Sequence, residues 1–251
     1  MSVAVVNQST VVSDADGQAM VIALNTLMPQ FCKDWVLPTT TIVYVGKGKT
    51  SALPLKVYIR DTSDVEGALG YHDQTSNVPH GLVFAKTILR YGPVLWSANL
   101  SLPTVAQTLS HEVFELLVDI NANLWASKLD GTMYAYEVSD PVQANAIVVR
   151  VQTGMTPAKA GIPIRPATPI YTNVTLSDWV LPRWFDEQET GGKFNYMNTV
   201  RRPFTLDRGG YAIISTAGAI SYVFGSGISE EGRARILSKR RVAYRNARAS
   251  S

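Results

Sequence analysis

Between Ser101 and Trp125 the chain places His111, Glu115 and Asp119 at successive intervals of four residues, with Glu112 beside them. On a helix this spacing stacks the side chains along one stripe. Leu109, Val113, Leu116, Leu117, Ile120 and Leu124 recur at spacings of three and four, the period of a helix that buries its other side. One imidazole and three carboxylates therefore share a face. Further on, Glu137 and Asp140 leave the end of a predicted strand, Met133 to Val138. Five carboxylates brought together without a cation would repel, and at least one would have a raised pKa. A bound metal removes that penalty, so cation binding is the chemistry expected of this set.

Residues 110–115 read Ser-His-Glu-Val-Phe-Glu, which resembles the His-Glu-x-x-His helix of zinc peptidases with Glu115 in place of the second histidine. The resemblance implies His111 and Glu115 as metal ligands and Glu112 as the base for an attacking water. A carboxylate in place of an imidazole makes the site harder and more anionic. Zinc is the first expectation, with manganese or calcium also in contention.

The ordered set Glu137-Val-Ser-Asp-Pro-Val142, Ser177-Asp-Trp-Val-Leu-Pro-Arg-Trp-Phe185 and Gly209-Gly-Tyr211 is similar to an uncharacterised zincin-like family of bacteria and tailed-phage virion gene sets. The match covers roughly residues 70–211, and Ser139 stands where family members often carry Cys. It implies an α+β, zincin-like fold: a mixed sheet packed on the helix that carries His111, then a β-rich second half. It also implies a third ligand from downstream, Glu137 or Asp140, although Asp140-Pro141 is equally a turn starter. Asp119 competes for that role or holds His111 in its tautomer. His72, in Gly-Tyr-His-Asp, is open between a distal ligand or substrate contact and a capping histidine, and the resemblance implies that it orients substrate. Tyr211 is expected to donate to an oxyanion or to serve structure alone. His80 is read as a loop histidine.

The elements around this stretch follow from local pattern. Ser101 is the expected N-cap of one helix running to Trp125, with Pro103 in its first turn. Asp14 to Trp35 reads as a second helix, capped by Asp14 or Asp16. Thr41 to Val45 and Leu55 to Ile59 read as strands, joined across Gly46-Lys-Gly-Lys49 as a solvated hairpin rather than a phosphate loop. After a polar loop ending at Gly81, Leu82 to Leu89 reads as strand. Residues 144–165 carry many breakers and suggest loops or an extended arm. Trp179, Trp184 and Phe185 suit a groove, or more simply a core or an interface. Residues 186–198 suggest a mobile loop, and residues 212–215 and 219–224 a terminal hairpin.

Composition bounds the function classes. The 251 residues are 46% hydrophobic and 17% charged, ordinary for a globular chain, and no apolar run is long enough for a membrane span. No secretory signal is read at the N-terminus. Cys32 is alone, so no internal disulfide is expected, and it reads as a small buried hydrophobe. From Ser229 on, seven Lys or Arg face two Glu, a balance of +5 that leaves the first 228 residues at −2. We therefore expect one zincin-like domain over 1–228, with a helix-and-sheet part to 125 and a β-rich part after it. A basic arm over 229–251 would use Arg233, Arg235, Lys239, Arg240 and Arg241 on nucleic acid or an acidic surface.

Two functions fit. One is a tailed-phage virion structural protein, assembled in the host cytoplasm with other virion proteins or copies of itself, its site vestigial or weakly hydrolytic. The other is an active metal-dependent peptidase.

Overall fold

The computed structural model describes residues 1–65, 67–75, 77–157 and 167–238. Strand β1 (Ser2–Asn7) is an interior strand of its sheet and nearly all buried, a strand that the Val-Ala-Val-Val run encodes without alternation. It feeds helix α1 (Asp14–Asp34), whose N-cap is Ser13 rather than either aspartate: the Ser13 side chain accepts from Asp16 N at 3.0 Å. Strands β2 (Thr41–Val45) and β3 (Leu55–Arg60) lie where their β-branched runs predict, but they do not form a hairpin. Each pairs in parallel with β1, one on either side, in registers that set Val3 against Ile42 and Leu55. A strand buried on both faces needs both of its edges paired, and that requirement outweighs the short connection.

The polar segment after Gly67 is itself a hairpin, β4 (Gly70–Thr75) and β5 (Val78–Phe84), turning through Asn77 at φ 61°. The chain leaves β5 into the one-turn helix α2 (Ala85–Ile88), so the strand expected to reach Leu89 stops at Phe84. The sheet order is β2-β1-β3-β5-β4, parallel except for the antiparallel edge strand β4.

Helix α3 (Val105–Val118) is shorter than predicted at both ends. Its N-cap is Thr104, whose hydroxyl accepts from Gln107 N at 2.9 Å, while Val105 N and Ala106 N donate to the carbonyls of Pro93 and Val94. Ser101 and Pro103 therefore lie outside it. At the other end Asp119 takes non-helical angles and its Oδ2 accepts from Leu124 N at 2.8 Å. Asp-Ile-Asn-Ala-Asn competes with the helix through its side chains, so Ile120 and Leu124 leave the apolar stripe.

Strands β6 (Trp125–Ser127) and β7 (Met133–Ala135) follow, then β8 (Ala146–Met155), β9 (Pro169–Ser177), β10 (Tyr211–Thr216) and β11 (Ala219–Phe224). They form an antiparallel sheet, β11-β10-β7-β6, and a β8–β9 ribbon. Of the arm expected over 144–165, residues 146–155 form strand β8 and residues 158–165 lie outside the described residues. Helices α1 and α3 lie between the five-stranded sheet and this ribbon. Trp179 and Trp184 are core residues, fully buried. The segment 186–198 is anchored, because Phe194 and Asn195 are buried and Asn195 Oδ1 accepts from Thr199 N and Val200 N. Helix α4 (Glu230–Ser238) begins the basic tail.

Candidate metal centre

The side of α3 away from the mixed sheet is fixed by aromatic packing. Phe114 stacks on Phe31 of α1 at 4.4 Å between centroids, and Trp179 meets both rings edge-on at 5.0 and 5.4 Å. With that side clamped, His111, Glu112 and Glu115 are directed toward β4, β5 and the segment after β7. All three are buried. A glycine makes room for Glu112: a Cβ on Gly70 would lie 2.6 Å from its Oε1.

Two groups of ligand atoms result, each drawn within 4.8 Å of one another. In the first, His111 Nε2 lies 3.1 Å from Glu115 Oε1 and 3.1 Å from Asp140 Oδ1. In the second, His72 Nδ1 lies 3.5 Å from Glu115 Oε2 and 4.0 Å from Glu112 Oε2; Glu137 Oε2, outside that group, is 3.7 Å from the same nitrogen. The sequence left the choice between Glu137 and Asp140 open. The fold brings in both, on different histidines. Asp140 also opens a one-turn 3-10 helix, Asp140–Val142, so its turn role and its place at His111 coexist.

The late Gly-Gly-Tyr follows from packing against that turn. A Cβ on Gly210 would drive into the Pro141 carbonyl, and Gly209 has φ +79° with Ala144 against it. The close approach places Tyr211 under the site, where its buried hydroxyl donates to Asp140. That donor is thus engaged with a carboxylate. Ser139 N donates to Glu115 Oε1 at 3.3 Å. Asp119 is buried and turned to the backbone of its own loop; its charge acts on Glu137.

Electrostatics follow the same division. Burial alone would lower the His72 pKa, but Glu137, Glu115 and Glu112 outweigh it and push it up to about 10. Burial likewise opposes charge on His111, and Glu115 with Asp140 raises it well above the ordinary value. Burial would raise Glu115, yet the two histidines hold it below the usual range. Glu137 is raised, by burial first and then by its carboxylate neighbours against the opposing effect of His72. Tyr211 is raised by burial and by Asp140 and Glu115. The cluster attracts positive charge, whether protons or a cation.

His111 and Glu112 form part of the wall of a cleft of about 600 Å³, shared with Thr108, Arg208 and, from α4, Gly232 and Ile236. Arg208 is exposed and makes no ion pair among the described residues. Of the predicted tail contacts, Arg233 lies over the Phe224 ring at 5.3 Å; the Arg235 side chain and residues Lys239, Arg240 and Arg241 lie outside the described residues. His80 is on strand β5, its Nδ1 3.0 Å from the Val78 carbonyl, away from these groups of ligand atoms.

The sequence leaves His72 open between a distal ligand and a substrate contact, and the fold sets it against the carboxylates. The signal was the alternation of β4, in which Gly70 and His72 point to the same face. Comparison of the chain with models of known protein families, with curated proteins and with solved structures finds no match.

Proposed function

We propose that this protein is a metal-dependent hydrolase, a peptidase on a zincin-like scaffold, with His111, Glu115 and Asp140 holding a divalent cation. The observation that carries the reading is that His111 Nε2 is 3.1 Å from one oxygen of each carboxylate, in a buried cluster bordering a cleft. The donor set fits the group: one imidazole and two carboxylates suit zinc, and the oxygen-rich balance also admits manganese or calcium. When bound, such an ion supplies Lewis acidity and lowers the pKa of water.

The chain's own residues supply the rest. Glu112, one residue from His111 and on the cleft wall, takes the proton from the attacking water. Tyr211 donates to Asp140 and Ser139 N to Glu115, which fixes the carboxylates that face His111. Strand β4 is the sheet edge beside Glu112, and an edge strand can pair with an extended peptide. The test is digestion of a peptide library by the zinc- and manganese-loaded chain, read by mass spectrometry. Cleavage should fall about 100-fold or more in Glu112→Gln; no cleavage with either metal would refute the reading.

A second reading, a tailed-phage virion component assembled in the host cytoplasm with other virion proteins or copies of itself, is favoured by the outer part of the β8–β9 ribbon. Met155, Ile170 and Tyr171 are about half exposed there, beyond the helices that cover its inner part. The basic tail would add an acidic surface or nucleic acid as partner. Mass spectrometry of particles produced from the genome that encodes the chain decides it: fixed stoichiometry supports it, and absence rules it out.

A further inference from the structure

Glu115 does not face one histidine. Its Oε1 is 3.1 Å from His111 Nε2, and its Oε2 is 3.5 Å from His72 Nδ1. Each histidine has further carboxylate neighbours: Asp140 at His111, and Glu137 and Glu112 at His72. From this geometry we propose that the site is built for two divalent cations bridged by Glu115, the second held by His72 and Glu137, with Glu112 beside it kept as the base. The proposal rests on the reading that His111 belongs to a metal centre.

Three observations carry it. The first is spacing. The contacts of His72 Nδ1 run from 3.5 to 4.0 Å, at or beyond the limit for a hydrogen bond. Donor atoms each about 2.1 Å from one ion are separated by about 3.0–3.5 Å, so the His72 group needs only slight contraction to close on a cation. The two oxygens of a single carboxylate can then serve ions about 3.5–4 Å apart, the separation of two-metal hydrolytic sites.

The second observation is charge. Glu112, Glu115, Glu137 and Asp140 converge on two imidazoles, and Glu112, Glu115 and Asp140 are each no more than 3% exposed. With both imidazoles neutral, as metal ligands must be, four negative charges remain. One divalent cation leaves half of them buried and uncompensated. Two cancel them, and an uncompensated buried charge is among the costliest arrangements in a protein.

The third is His72 itself. Its side chain is buried, only 3% exposed. A histidine present only to position substrate would be expected to face the cleft, yet His72 is not among the residues that line it. It faces the carboxylates on Nδ1 instead.

The experiment uses the full chain, stripped with chelator and dialysed against Mn²⁺ or Zn²⁺, with bound metal counted by elemental analysis. Two equivalents are expected in the wild type and one in His72→Ala and Glu137→Gln, with Glu115→Gln losing both. Circular dichroism verifies that each variant is folded, and Glu137→Gln, nearly isosteric, serves where His72→Ala is not. The Mn²⁺-loaded wild type should give an exchange-coupled EPR spectrum, which isolated ions do not. One equivalent in the wild type, unchanged by Glu137→Gln, overturns the second ion and leaves the hydrolase reading intact. Two uncoupled ions also overturn it. No bound metal overturns both.

Discussion

Gly70 on the edge strand and Glu112 on the site helix are packed so closely that a single methyl at Gly70 would lie 2.6 Å from Glu112 Oε1. The Leu82 carbonyl, 2.9 Å from the same point, closes the other side, so the strand cannot simply slide away. Gly70→Ala should therefore cost about 1–3 kcal/mol through overpacking and move the Glu112 carboxylate. Urea denaturation measures the first effect. A loss of peptide cleavage larger than the loss of folded protein would report the second.

The far side of the same helix rests on Phe31, Phe114 and Trp179. Phe114 is fully buried, and truncation to Ala should cost about 3–5 kcal/mol, the range for a buried aromatic. Calorimetry or denaturant titration measures it. A cost below about 1 kcal/mol would mean that α3 is held elsewhere.

Asp61 ties the β1–α1 loop to the end of β3. It accepts from the Ser9 hydroxyl at 2.6 Å and Thr10 N at 2.9 Å, and pairs with Lys86 at 3.0 Å. Burial would raise its pKa, but these partners hold it well below the ordinary 3.8. A depressed carboxyl contributes stability above its unfolded pKa and loses it as pH falls through the folded value. Asp61→Asn should thus be less stable by about 1–3 kcal/mol at pH 7, with the gap to wild type narrowing below about pH 4. Denaturation at pH 7, 5 and 3 traces it; a gap independent of pH would contradict the assignment.

Cation removal should be visible without any substrate. A ligand at about 100 times its Kd stabilises the folded state by about 2.7 kcal/mol, worth about 5–10 °C in Tm for a chain of this size. Chelator should lower the Tm by that amount and zinc or manganese restore it. His111→Ala should show neither response.

Arg208 is the cation of a cleft whose other charged groups are His111 and Glu112. It lies flat on Gly227, where a Cβ would come within 2.8 Å of its Nε. Substrates with an acidic side chain should be preferred, and Arg208→Ser should raise their KM several-fold with little change in kcat. An equal effect on neutral peptides would argue for a structural role.

Much of this arrangement was legible because it is local. The period of α1, the β-branched runs of β2 and β3, and the hairpin β10–β11 stand in the sequence within a few residues of their observed ends. The four-residue spacing brought His111 and Glu115 together without reference to any other element. What was not legible depends on pairing across the chain. Nothing near Gly46 states that β1 will insert between β2 and β3, and nothing near His72 states that a register of His72 against Gly81 will set its ring among carboxylates from α3 and the segment after β7. The ends of α3 failed for a different reason: Ser101 and Thr104 are both good caps, and the backbone of residues 93–94 decides between them.

Cys32, the only thiol in the chain, is buried in the core on the same turn of α1 as Phe31. A thiol reagent can reach it only when the packing around that turn of the helix opens. Its labelling rate in native buffer is therefore a clock for opening of the core, and comparing that clock with and without cation would time how firmly the site holds the two layers together.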